Sequence, residues 1–156
     1  MSGDPHARLE ELGIVLPEPP APAAAYQRSR EGGGLVFTAG QLPSVEGQPP
    51  RTGKLGRDLD TPEGAELAKQ AALNVLAIAA AAADGDLGRV RFAKLTVFVA
   101  SDPAFTEQHI VANGASEFLA DVLGEDGLHA RSAIGVPVLP LDAPVEVEAI
   151  LEIRPV

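Results

Sequence analysis

The chain predicts an α+β fold, ordered ββαβαββ after an opening segment, with its helices on one side of a mixed sheet. Three observations point there. Two alanine-rich stretches carry apolar residues at helical spacing, and five short runs alternate or read as strands. Glycine and proline punctuate the joints between them, and no internal repeat is present beyond a loose echo of strand and helix.

Residues 5–13 predict a first helix edged by Leu9, Leu12 and Ile14. PEPPAPAAA at 17–25 forbids regular structure, because four prolines remove donors and hold the chain extended. We therefore expect residues 1–25 to form a helix and proline strap ahead of a main domain at 26–156. Tyr26–Arg30 and Leu35–Ala39 predict two strands joined through REGGG, and Gly40–Gly56 a long loop of the kind that often carries function. Thr61 as N-cap and Pro62 in the first helical position predict a helix running to Ala83 and stopped by Asp84-Gly85. Phe92–Ala100 predicts a strand with Ala93, Leu95, Val97 and Val99 on one face and Phe92, Lys94, Thr96 and Phe98 on the other. Asp102-Pro103 then predicts the start of a second long helix, with Val111, Ala115, Phe118, Leu119 and Val122 as its buried stripe and Gly124 as its stop. Two strands follow within 129–153.

The 156 residues fit one domain, and 46 % hydrophobic with 22 % charged residues is ordinary for a globular chain. Few aromatics and many alanines predict helices lying close against what they cover. There are no cysteines, which excludes disulfides, thiolate nucleophiles and sulfur-ligated metals. A net charge of −10 repels phosphate backbones and anionic lipid, so neither nucleic acid nor membrane is expected as a partner. The basic residues of RTGKLGR at 51–57 lack interleaved aromatics and read as a solvated loop. With no leader pattern, a cytoplasmic location is the expectation. His6 and His109 show no ligand spacing, so no metal is expected, and no Ser/His/Asp motif supports a serine nucleophile.

Period two sorts the last strand into Val145, Val147, Ala149, Leu151 and Ile153 against Glu146, Glu148, Ile150 and Glu152. In the strand before it, Arg131 shares a face with Ala133 and Gly135, whose small side chains leave room before the guanidinium. If both helices cover one face, the other mixes Phe92, Phe98 and Ile150 with Lys94, Glu146 and Glu148, a composition that suits a subunit interface with polar pockets. Arg131 beside Glu146 is then expected to hold a small anion and a water; an interface ion pair is the alternative for the same two residues.

LPEPPAPxAxY, TGKxG, VANGAS and HARSAxGVxxLPLxAPVEVEAI together resemble a long-form branch of the RidA/YjgF family, also called endoribonuclease L-PSP. The resemblance covers Tyr26 to Ile153. It implies a chorismate mutase-like fold, a homotrimer with sites at subunit interfaces, and hydrolysis of a small carboxylate-bearing imine or enamine to an oxo acid and ammonia, without cofactor or metal. Carried over by motif, Arg131 is the substrate-carboxylate arginine and Glu146 the glutamate that positions or activates water. Tyr26, Gly40, Ala133 and Asn113 fall on positions that line the family pocket. Two departures stand out. Ala39 replaces the usual serine of the turn, and Ser116 stands where many members carry an aromatic. His129, two residues before Arg131, is positioned to share its face and tune the pocket. A non-catalytic trimer binding a small carboxylate, and RNA cleavage, are the other function classes the resemblance leaves open.

Overall fold

The computed structural model describes residues 3–22 and 24–156. Helix α1, Pro5–Glu11, is capped by Asp4, whose carboxylate accepts from the His6 backbone N–H. Leu9 is inserted in the core, and Arg8 pairs with Asp121 on a later helix. Residues 14–22 follow without helix or strand, and residue 23 of the expected strap lies outside the described residues. Strands β1, Ser29–Gly32, and β2, Leu35–Thr38, form a hairpin around Gly33-Gly34. The two-residue turn pairs Gly32 with Leu35, so β1 starts at Ser29 and Tyr26 lies before the strand rather than in it.

Helix α2, Thr61–Ala82, starts one residue earlier than expected, with Asp60 as N-cap. Asp60 accepts from the Glu63 backbone N–H while the Glu63 carboxylate accepts from the Asp60 N–H, a reciprocal box that outbids Thr61. By length and composition α2 could cross a bilayer, yet most of its apolar stretch is buried inside the protein.

Strand β3, Val90–Ala100, departs from simple alternation. Its register against the last strand slips between Phe92 and Lys94, leaving Ala93 as an extra residue. Phe92 is thereby turned into the core at 2 % exposure, not onto the open face, and Ala93 is exposed. Asp102 does not begin a helix. Its carboxylate accepts from the Ala104 N–H and its carbonyl from the Phe105 N–H, closing a turn. Helix α3, Gln108–Leu123, begins later and ends at Gly124.

Strands β4, Ala130–Val136, and β5, Val145–Ile153, complete a five-stranded sheet in the order β1-β2-β5-β3-β4. Only β3 and β4 run parallel. The core fills the space between one sheet face and α2 with α3, where Leu95, Val97, Val99, Val145, Val147 and Leu151 are fully buried. Small residues bring the helices together: a β-carbon at Gly114 of α3 would overlap the Ala65 carbonyl of α2.

Candidate functional site

Register decides which way the site residues point. In the parallel pair Arg131 lies opposite Leu95 and Ala133 opposite Val97, so both share the face covered by helices. In the antiparallel pair Glu146 lies opposite Phe98 and Glu148 opposite Thr96, on the open face. Arg131 and Glu146 of one chain are therefore on opposite faces and three positions apart along β3, about 10 Å of strand. The expectation that they stand side by side is corrected: within one chain they belong to two separate clusters.

The first cluster lies at the edge of the sheet, where α3 overhangs β4. Arg131 is half-buried. Its Nη1 donates to Asn113 Oδ1 at 2.9 Å and to Ser116 Oγ at 3.2 Å, and Nη2 donates to the His109 carbonyl at 3.2 Å. His109, Asn113 and Ser116 are spaced four and three apart, so α3 presents them on one face. A guanidinium has five N–H donors, and these contacts engage three. Among the described residues nothing accepts from the Nε–H and one Nη2–H, on the two nitrogens that form the side-on edge a carboxylate meets with two parallel bonds. Among the described residues no acid lies within ion-pair distance of Arg131, although arginines elsewhere pair with Asp121, Glu63, Asp58 and Glu152. Behind it, His129 Nδ1 lies 2.7 Å from the Gly127 carbonyl and Nε2 lies 3.0 Å from Ser116 Oγ. Burial, aided by the Arg131 charge and opposed by the Gly127 bond, pushes the His129 pKa down.

The second cluster forms where the loop after β2 crosses β5. Gln41 and Val147 exchange backbone hydrogen bonds at 2.8 and 2.9 Å, and Gly40 lies against Glu146 so closely that a β-carbon would overlap its Oε1. Burial first, and the Glu148 charge second, push the Glu146 carboxyl pKa up. From the helix side, buried Asn74 donates to the Leu42 and Ser44 carbonyls at 3.0 and 2.9 Å and fixes the loop. Tyr26 and Gly40 share a cavity of about 630 Å³ between this loop and the proline strap.

Of the expected site residues, Arg131, Asn113 and Ala133 lie at one edge, Glu146 lies against Gly40, and Tyr26 shares with Gly40 the cavity beside the strap. Sequence reading treated Ser116 only as a departure and passed over Asn74. The signals were present: Ser116 is one turn from Asn113, and Asn74 is the one polar residue in the otherwise apolar stretch 71–82 of α2.

Residues 17–153 match the family model described as endoribonuclease L-PSP. The protein TCP17 of Trypanosoma cruzi is 47 % identical over 155 residues, covering 98 % of this chain and 96 % of its own. The crystal structure of Atu1372 from Agrobacterium tumefaciens is 46 % identical, superposes with a TM-score of 0.89, and covers 96 % of this chain and 92 % of that one. E. coli TdcF, solved with bound serine, is 27 % identical with a TM-score of 0.63, covering 87 % and 93 %. The chain belongs to the endoribonuclease L-PSP family, the RidA/YjgF group, and has its chorismate mutase-like fold.

Proposed function

We propose that this protein hydrolyses 2-imino acids or their enamine tautomers to 2-oxo acids and ammonia, in a site completed between the subunits of a homotrimer. One observation carries the proposal: a half-buried guanidinium is held by three neutral oxygens, and among the described residues no acid cancels its charge and two donors are left on its carboxylate-binding edge. That arrangement suits an organic anion supplied from outside. TdcF, a relative with bound serine, accommodates a small molecule that carries a carboxylate.

The open face of the sheet supports the assembly. Phe37 and Ile134 are 44 % and 41 % exposed there, beside Phe98, Ile150, Lys94, Glu146 and Glu148. Further copies of the chain are the proposed cover for this mixture of apolar and charged groups. A neighbour's Glu146 then faces the Arg131 edge, reconciling two clusters that a single chain holds apart.

The chemistry asks little beyond placement. The substrate carboxylate occupies the Nε/Nη2 edge of Arg131. The C=N carbon is already electrophilic, and Glu146 holds the attacking water. Water adds to that carbon, Glu146 relays a proton to nitrogen, and collapse of the carbinolamine expels ammonia and leaves the carbonyl. Burial and the Glu148 charge raise the Glu146 pKa, the direction that favours a carboxylate taking up a proton during the reaction.

The test follows 2-iminopropanoate generated in solution. Wild-type protein should accelerate its conversion to pyruvate, and Arg131→Ala should lose the acceleration while keeping its oligomeric state. Unchanged decay with the wild-type protein overturns the proposal. Ala39 favours one second reading, because it places a methyl where the family turn has a hydroxyl. In that reading the trimer only binds small carboxylates, and thermal stabilisation by pyruvate without imine turnover identifies it. Net charge −10 speaks against RNA as substrate.

A further inference from the structure

We infer that Ser116 and His129 form a positioning relay that aims the Arg131 guanidinium, an inference that rests on reading Arg131 as the grip for a carboxylate. A carbonyl oxygen can only accept, so the Gly127 carbonyl at 2.7 Å requires the proton of neutral His129 to sit on Nδ1. Nε2 is then a lone pair, and the hydroxyl 3.0 Å away must donate to it. With its proton directed at the imidazole, the Ser116 oxygen offers a lone pair to Arg131 Nη1 at 3.2 Å.

Each step sets the direction of the next. A helical serine commonly turns its hydroxyl back to the carbonyl four residues earlier, here Ala112. His129 offers the hydroxyl a different acceptor and so selects the rotamer that faces the guanidinium. Asn113 Oδ1 takes the other Nη1 proton at 2.9 Å and the His109 carbonyl one from Nη2. Both Nη1 protons are thus engaged on α3, and among the described residues the Nε–H and the second Nη2–H are left without an acceptor. The acceptors are all neutral, so the orientation is achieved without giving the arginine an anionic partner.

The Phe92 ring backs the imidazole, with ring centroids 6.4 Å apart. His129 is thereby held between β3, the 124–127 turn and α3. Ser116 and His129 are positioning residues; of these three side chains only Arg131 is proposed to touch the ligand.

Calorimetric titration of the full-length protein with pyruvate tests the relay. Ser116→Ala and His129→Phe should each weaken binding about five- to tenfold, the usual range for one lost hydrogen bond. Ser116→Thr, which keeps the hydroxyl, and His129→Gln, which keeps an acceptor, should recover most of the affinity. Wild-type affinity in both Ser116→Ala and His129→Phe, with binding lost in Arg131→Ala, overturns the relay and leaves the proposed function standing. Weakening that neither Thr nor Gln repairs also overturns it, since it marks mere packing. Should Ser116→Ala fail to fold, the His129→Phe and His129→Gln pair decides alone. If Arg131→Ala is indistinguishable from wild type, the reading beneath the relay fails with it.

Discussion

At Arg131 the decisive chemistry is the absence of an acidic partner among the described residues. An acid at hydrogen-bonding distance would hold the guanidinium as firmly as Asn113, Ser116 and the His109 carbonyl do, but it would also cancel the charge a ligand needs. His129 carries a measurable consequence of the same design. Its folded-state pKa lies below the ordinary 6.5, because burial and the nearby arginine both disfavour the imidazolium. As pH falls through 6.5 the unfolded chain takes up a proton that the folded chain resists. The unfolded state then binds more protons, so stability is complete above this window and declines below it. Glu146 acts in the opposite sense: its raised pKa favours the neutral carboxyl, and falling pH relieves the cost of its charge. Replacement isolates the histidine. The urea midpoint of wild type should drop between pH 7.5 and 5.5 by more than that of His129→Gln, and equal drops would contradict the burial assigned to the imidazole.

Among the elements, the α2/α3 contact governs how accurately α3 presents its polar face to β4. Gly114 lies between Asn113 and Ser116 in sequence and has the Ala65 backbone of α2 where a side chain would go. Gly114→Ala must push the helices apart, and the expected destabilisation is about 1–3 kcal/mol, the usual cost of overpacking. A denaturant midpoint measures it, and unchanged stability would mean that the helices slide freely at this point. The close approach itself was legible in the sequence, from the abundance of alanine and the scarcity of aromatics. So were the strands of alternating residues and the stripe of α3. What escaped were places where one chemistry has two geometric outcomes. Asp102 accepts from a backbone N–H two residues on, the same act that caps a helix, yet here it closes a turn ahead of Gln108. The bulge at Ala93 leaves no mark in residue type, and it alone carries Phe92 into the core. The small residues beside Arg131 fit an open pocket or a tight seat under α3 equally well. Ala133 shows the second, since it is partly buried and packs against the hydrophobic core. Only the parallel register of β3 with β4, a long-range property, settles which face Arg131 occupies.

For the whole molecule, the separation of Arg131 from Glu146 makes subunit assembly part of the chemistry proposed above. If a working site takes its guanidinium from one subunit and its carboxylate from the next, two inactive variants can repair each other. Arg131→Ala subunits keep Glu146, and Glu146→Gln subunits keep Arg131, so a site between one of each in the correct order is intact. Random mixing in a cyclic trimer puts an intact arginine on one side of an interface half the time and an intact glutamate on the other half the time. About a quarter of all sites should then be native. Unfolding and refolding an equimolar mixture should therefore recover roughly 25 % of wild-type imine hydrolysis from two inactive preparations. Mixing them folded should recover nothing until subunits exchange. If instead each chain supplied both groups to one site, no mixture could contain an intact site and refolding would leave activity at zero. That result would require β4 or β5 to rearrange so as to bring Arg131 and Glu146 onto one face, against the register that pairs Leu95 with Arg131 and Phe98 with Glu146.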